Sequence, residues 1–177
     1  MYSMRVIKNF YTKEECMQLR NHPDNVWKSA ESRSLSGKVS SGNWRNADIA
    51  NRIPTRQKDV FAEIIRFNLA NHDLQLNGKL ESNINRYGVG NYFKQHYDMI
   101  LDDTTYTLKE CRKISVSIQL SDPSEYEGGR LIIKGKEAPI EQGDMTIFHS
   151  LTSHKVTEVT KGIRYSMNIF AYGDFTL

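Results

Sequence analysis

The stretch IRYSMNIFA, residues 163–171, alternates large apolar side chains with polar or smaller ones. A second stretch, ISVSIQL at residues 114–120, follows the same period of two. This period is typical of β-strands, whose successive side chains point to opposite faces of a sheet. Shorter apolar runs at 130–133 and 145–149 are bounded by glycine-containing turn signals. Together these stretches predict an antiparallel sandwich or barrel in the second half of the chain.

Helical signals dominate the first half of the chain. An apolar run from Met4 to Phe10 predicts an opening strand, and Thr12 with Glu15 has the capping-box spacing of a helix that continues to about Arg20. After Pro54, apolar residues recur at helical spacing and predict an amphipathic helix. The residues predicted to share its apolar face are Val60, Phe61, Ile64, Ile65 and Leu69. Helices followed by strands predict an α+β fold with N-terminal helices packed on one face of a rolled sheet.

Length and composition limit the classes of protein that this chain can represent. Its 177 residues suffice for one domain, 1–177, and are too few for two ordinary ones. We find no apolar run near the roughly 20 residues of a membrane helix and no secretion signal, so we expect a cytoplasmic protein without a membrane partner. The net charge of +3 is too mild for a dedicated nucleic-acid binder. Two cysteines make neither a disulfide framework nor a metal-binding spacing.

A serine-rich segment at 29–43 lies within a basic region of the chain. Between Lys28 and Lys58, seven Lys or Arg residues stand against Glu31 and Asp48. This composition is typical of a solvated surface loop. A flap that closes over a site for an anionic or peptide substrate is the alternative, and the sequence leaves both open.

The motif with the clearest chemistry is RYGVGNYFKQHYD, residues 86–98, in which His96 and Asp98 are two residues apart. On a strand this spacing puts an imidazole and a carboxylate on the same face, where both can bind one ion. They make two thirds of the two-histidine, one-carboxylate triad that holds non-haem Fe(II). Local spacing leaves two candidates for the third ligand, His149 and His154.

With these residues in view, the chain resembles the Fe(II)- and 2-oxoglutarate-dependent dioxygenases, in particular the prolyl 4-hydroxylase-like group. The resemblance covers about residues 84–170 and rests on a tyrosine, a His-x-Asp motif, a distal histidine and a basic residue about ten positions later. Arg164 follows His154 by ten residues and His149 by fifteen. The resemblance therefore implies His96, Asp98 and His154 as the iron ligands. It leaves His149 outside the ligand set, either as a packed histidine or as one that supports a ligand.

The same resemblance implies the fold and the co-substrates. It implies a double-stranded β-helix, or jelly-roll, core with the active site at 81–177, and a supporting segment at 1–80 made mainly of helices and a flexible loop. The co-substrates are 2-oxoglutarate and O₂, with ascorbate as the reductant. Arg164 and Ser166 match the residues that bind the distal carboxylate of 2-oxoglutarate, and Tyr87 matches a tyrosine that bonds to it. No catalytic residue beyond the metal centre is implied.

For the substrate, the resemblance favours a peptidyl prolyl residue in a protein or peptide, as in procollagen-proline 4-dioxygenases. Asp98 favours hydroxylation, because halogenating relatives have a small residue there. Nucleic-acid demethylases carry a second arginine just beyond Arg164, and this chain has none, so nucleic acid is disfavoured. Phe93 stands where prolyl hydroxylases often have a tyrosine, and we assign Phe93 and Trp44 as candidate substrate contacts.

Two alternatives stay open at this point. One is a hydroxylase of another peptidyl residue or of a free amino acid. The other is a jelly-roll module in which His96, Asp98 and His154 hold a structural or Lewis-acid ion without oxygen chemistry. Arg164 together with Tyr87 discriminates against that module, since a bare metal site needs no carboxylate-binding residues beyond its last ligand.

Overall fold

The computed structural model describes residues 4–30, 32–33, 39–40, 44–99 and 110–174. It contains two α-helices, α1 at Lys13–Arg20 and α2 at Gln57–Asn71, and a short 3-10 helix at Pro123–Glu125. The strands, in chain order, are β1 Met4–Ile7, β2 Lys28–Ser29, β3 Ser32–Arg33, β4 Val39–Ser40, β5 Arg45–Asn46, β6 Asp48–Asn51, β7 Leu80–Tyr87, β8 Tyr92–His96, β9 Glu110–Gln119, β10 Tyr126–Gly128, β11 Leu131–Ile133, β12 Lys136–Glu137, β13 Met145–His149, β14 His154–Val156, β15 Val159–Gly162 and β16 Arg164–Asp174.

Two antiparallel sheets form the body of the fold. The major sheet has the strand order β1-β13-β9-β16-β7-β6-β2, and the minor sheet has the order β12-β11-β14-β8-β5. Tyr87 and Phe148 of the major sheet belong to the same apolar cluster as Leu131 and Val156 of the minor sheet. The expected double-stranded β-helix with N-terminal helices is therefore confirmed.

The other side of the major sheet is covered by the helices. In α2, Val60, Ile64 and Phe67 are buried in one cluster with sheet residues such as Ile84 and Ile169. This core places both helices behind the major sheet, so its opposite side is free to form a site.

The predicted buried face of α2 needs a correction. The spacing predicts Leu69 on that face, but this residue is 69% exposed. Phe67 and Asn68 are buried instead. Phe67 lies three residues after Ile64 and so continues its row along the helix, whereas Leu69, five residues after Ile64, is turned about 140° away.

The N-terminal predictions hold with two changes. Thr12 and Glu15 form the capping box of α1, and the opening strand ends at Ile7, before Phe10. The segment 1–80 also supplies strands to both sheets, which adds to the predicted helical support. Within the 29–43 segment, residues 31, 34–38 and 41–43 lie outside the described residues. No helix among the described residues is long and apolar enough to cross a membrane.

Candidate active site

Two imidazoles and a carboxylate meet where two paired strands of the minor sheet, β8 and β14, have their ends. His96 ends β8, His154 begins β14, and the antiparallel register sets these two residues opposite each other. Asp98 follows His96 by two residues, and one ligand atom from each of the three side chains lies within 4.8 Å of the others. The Asp98 carboxylate is 3.5 Å from His96 Nε2 and 3.3 Å from His154 Nε2. The group thus has the donor atoms and the spacing to bind one divalent cation.

Backbone carbonyls set the orientation of both rings. The Nδ1 atom of His96 lies 2.7 Å from the Lys94 carbonyl oxygen, and that of His154 lies 2.9 Å from the Thr152 carbonyl oxygen. Since a neutral imidazole that donates from Nδ1 keeps its Nε2 lone pair, both rings present Nε2 to the site.

Electrostatics keep the carboxylate ionised. Burial alone would raise the pKa of Asp98, but the neighbouring His154 and His96 hold it well below its ordinary value. Burial lowers the pKa of His96. Burial also opposes the charged form of His154, yet the Asp98 carboxylate outweighs burial and raises the pKa of that ring. A buried anion between two imidazoles is a donor set that suits a cation such as Fe(II).

A buried arginine lies on the major sheet and lines the same pocket. Arg164 begins β16 opposite Tyr87 at the end of β7, and its Nη1 donates to Ser166 Oγ at 3.4 Å. Its guanidinium carbon is 5.7 Å from the centre of the Tyr87 ring. Arg164 is only 3% exposed, and among the described residues it forms no ion pair with a carboxylate. Because a buried unpaired charge is costly, this guanidinium is suited to receive an anion.

A glycine keeps space open beside this arginine. A Cβ atom added to Gly129 would lie 3.1 Å from Arg164 Cδ and 2.8 Å from the Val159 side chain. Gly129 also has a φ of +58°, which side-chain-bearing residues rarely adopt. The sequence pattern marks this glycine only as a turn signal, and the structure adds its contact with the arginine.

One pocket connects the three-residue group with the arginine. The space within it, which includes open solvent, is about 370 Å³. Its lining residues are Tyr87, Phe93, His96, Asp98, Val116, Ser117, Leu131, Phe148, His154, Val156, Arg164, Ser166, Asn168 and Phe170. The arrangement offers a cation site on the minor sheet and an anion site on the major sheet, with aromatic rings in the lining of the same pocket.

The two predicted substrate contacts have different positions. The Phe93 ring lines the pocket and stacks on His96, with 3.5 Å between ring centres. Trp44 is 43% exposed and is not among the described residues that line the pocket. Its carbonyl oxygen accepts the Lys94 N–H at 2.9 Å, so its backbone supports β8.

Arg45 contacts Phe93, which lines the pocket, and no sequence motif indicated this contact. Its guanidinium carbon lies 4.7 Å from the centre of the Phe93 ring, on which it stacks. Its Nη2 donates to Asn85 Oδ1, which joins β5 to β7. The basic composition around residue 45 was the available signal, but it could not distinguish this arginine from solvated ones.

His149 lies apart from the metal-binding group. It ends β13, and its ring centre is 5.0 Å from that of His72, just beyond α2. Phe148, one residue earlier on the same strand, faces the pocket. The alternation of the strand therefore turns His149 toward the helices.

Comparison with known proteins adds to this geometry. The family model described as the 2OG-Fe(II) oxygenase superfamily matches residues 82–172. A PKHD-type hydroxylase of Burkholderia ambifaria is 28% identical over 170 residues, which covers 89% of this chain and 73% of the relative. A Pseudomonas putida prolyl-4-hydroxylase superposes with a TM-score of 0.69 at 18% identity, over 97% of this chain and 93% of that one.

A third similar protein was solved with a peptide. It is a prolyl hydroxylase in complex with a hypoxia inducible factor oxygen degradation domain peptide fragment, from Trichoplax adhaerens. Its TM-score is 0.69 at 15% identity, and the match covers 96% of this chain and 83% of that one. Both structural matches establish a common fold.

Proposed function

Because this chain belongs to the 2OG-Fe(II) oxygenase superfamily, we propose that it is an Fe(II)- and 2-oxoglutarate-dependent hydroxylase of peptidyl proline. The observation that carries the proposal is a single pocket with two opposed binding features. One is the group of His96, Asp98 and His154, and the other is the buried guanidinium of Arg164, which has no carboxylate partner among the described residues.

The first feature would hold the metal. His96 and His154 would bind Fe(II) through Nε2, and Asp98 would bind it through a carboxylate oxygen. When bound, Fe(II) would supply the activation of O₂ that couples hydroxylation of a C–H bond to oxidative decarboxylation of 2-oxoglutarate to succinate and CO₂. The backbone carbonyls of Lys94 and Thr152 keep the two rings in the required orientation.

The second feature would hold the co-substrate. The planar guanidinium of Arg164 can donate two charge-assisted hydrogen bonds to the distal carboxylate of 2-oxoglutarate. Ser166 Oγ and the Tyr87 hydroxyl would complete the polar contacts at this end. Val116, Phe148 and Val156 line the pocket and would limit the access of water to a bound keto acid.

Peptidyl proline is our first choice for the substrate. The fold is shared with prolyl hydroxylases, and the rings of Phe93 and Phe170 offer apolar surface to a pyrrolidine ring. Phe93 and Trp44 would contact the peptide. Ascorbate as the reductant and a cytoplasmic location stay predictions.

The decisive experiment measures succinate formed from 2-oxoglutarate by iron-loaded protein. The panel consists of proline-rich peptides, matched peptides with alanine in place of proline, free amino acids and oligonucleotides. We expect succinate to form in proportion to hydroxylated proline and only with the proline-containing peptides. Turnover with free amino acids or with the alanine peptides would overturn the proline assignment and leave the oxygenase in place.

A second measurement tests the oxygenase itself. Under anaerobic conditions, Fe(II) and 2-oxoglutarate together should give a weak visible absorbance that is lost on exposure to air. Failure of this absorbance in protein shown to contain iron would favour the alternative metal-binding module without oxygen chemistry.

A further inference from the structure

A turn of four residues, His149–Thr152, supports two of the three residues of the metal-binding group. The Ser150 carbonyl oxygen accepts the backbone N–H of Asp98 at 2.9 Å and that of Met99 at 3.1 Å. The Thr152 carbonyl oxygen lies 2.9 Å from Nδ1 of His154. The conformation of this turn therefore sets the backbone position of Asp98 and the ring orientation of His154.

The side chain of His149 closes that turn. The Leu151 N–H donates to Nδ1 of His149 at 3.0 Å, and the Thr152 N–H donates to the His149 carbonyl oxygen at 2.8 Å. Because Nδ1 accepts a hydrogen bond, the ring must be neutral and carry its proton on Nε2. Two further bonds attach the turn to β9: Ser150 N–H donates to the Lys113 carbonyl oxygen at 3.0 Å, and Ser150 Oγ lies 2.8 Å from Ser115 Oγ.

The surroundings of His149 preserve its role as an acceptor. The side chain is 4% exposed and packs against the His72 ring. Burial, together with the nearby His72 and Lys113, lowers the pKa of His149 to about 4. Nδ1 thus remains unprotonated at neutral pH, and the turn keeps its hydrogen bond.

We propose that His149 is a positioning residue of the metal centre, which acts through the 149–152 turn on Asp98 and His154 and makes no contact with the metal. This inference rests on the proposed function, because it takes His96, Asp98 and His154 as the ligands. A continuous path of hydrogen bonds leads from Nδ1 of His149 to Asp98. It passes through the peptide group that carries the Leu151 N–H and the Ser150 carbonyl.

Two substitutions test separately the hydrogen-bond acceptor and the ring of His149. In asparagine, Oδ1 is attached to Cγ just as Nδ1 is in histidine, and such an oxygen readily accepts the N–H two residues later in an Asx turn. His149→Asn therefore keeps the acceptor and removes the packing against His72. His149→Phe keeps a ring of similar volume and removes the acceptor. A purely structural role predicts that Asn is the more harmful change, whereas a positioning role predicts that Phe is.

The test is a Co(II) titration of the metal-free full chain, followed by calorimetry and by the visible Co(II) spectrum. Wild type, Asp98→Ala, His149→Asn and His149→Phe are compared, with circular dichroism as the check of folding. We expect His149→Asn to bind within about twofold of wild type, and His149→Phe to bind about tenfold more weakly with an altered spectrum, as is usual when support for a ligand is lost.

Each outcome decides between two ideas. Equal binding by His149→Phe and wild type, or equal weakening by both His149 variants, overturns the positioning role. If His149→Phe does not fold, the affinity of His149→Asn still decides, because weakening there contradicts an acceptor role. Unchanged binding by Asp98→Ala would instead mean that the ligand assignment in the proposed function is wrong.

Discussion

The two faces of β16 differ in what their side chains contact. On one face, Met167 and Ile169 are fully buried against the helices. On the other, Arg164, Ser166 and Asn168 line the pocket. Both faces are largely covered, so burial alone does not distinguish them. What differs is whether the buried groups find all their partners within the protein.

The helix-facing side needs no partner from outside the protein. Its apolar side chains fill a continuous core, where burial contributes about 25 cal/mol per Å² of apolar surface. The pocket-facing side retains a guanidinium that, among the described residues, has no carboxylate partner. The pocket that it lines also contains the Asp98 carboxylate, which lies between two imidazoles of the minor sheet. Strand alternation thus gives the major sheet one face that contributes to stability and another that contributes to the chemistry. The predictions below test this division.

The largest effect is expected for Asp98→Ala, which removes a carboxylate from the pocket. The variant should lose detectable succinate formation and bind metal more than about 100-fold more weakly, since even partners outside the ligand set typically contribute 10–100-fold. Turnover and metal stoichiometry measured together check this result. Wild-type iron content in the variant would contradict the assignment of Asp98.

On the helix-facing side, Ile169→Ala should reduce the free energy of unfolding by about 2–5 kcal/mol, because it leaves a cavity in a fully buried core. Urea unfolding is the measurement, and 2-oxoglutarate affinity in the folded variant should stay at the wild-type value. Leu69→Ala is the matched control, since that side chain is exposed and should change stability by less than about 0.5 kcal/mol. Equal losses of unfolding free energy in Ile169→Ala and Leu69→Ala would contradict the exposed position of Leu69 on α2.

Arg164→Ala should show the opposite pattern to Ile169→Ala. Loss of one partner of a charge-assisted pair costs about 2–5 kcal/mol, so the KM for 2-oxoglutarate should rise at least about tenfold, with a smaller change in metal affinity. The stability of the protein without co-substrate should be unchanged or increased, because a buried unpaired charge is removed. An unchanged KM would show that another residue binds the distal carboxylate.

The smallest effect concerns pH and His149, a titratable side chain on the helix-facing side. Its pKa is about 4 in the folded protein against an ordinary value of 6.5. Between these values the unfolded chain binds more protons, so stability falls as the pH is lowered. Urea unfolding should show a contribution of about 2–3 kcal/mol between pH 7 and about 4.5, and His149→Asn should reduce it. The same pH dependence in both proteins would contradict a neutral, buried His149.

Local sequence was enough to predict both α-helices and the two longest strands among the described residues. A period of two identified β9 and β16, and the Thr12 and Glu15 pair located the start of α1, because strand alternation and helix capping depend on residues only a few positions apart. The His96 and Asp98 spacing identified two candidate ligands for the same reason. The fold class followed from the order of these signals along the chain.

Tertiary structure decided the features that depend on contacts between distant residues. Local spacing left His149 and His154 equivalent, but strand pairing sets His154 opposite His96 and alternation turns His149 to the helices. Arg45 lies beside Phe93 because β5 pairs with β8. Sheet register is set by packing over the whole core, and the side chains that meet across it lie tens of residues apart, where no short-range pattern records their contact.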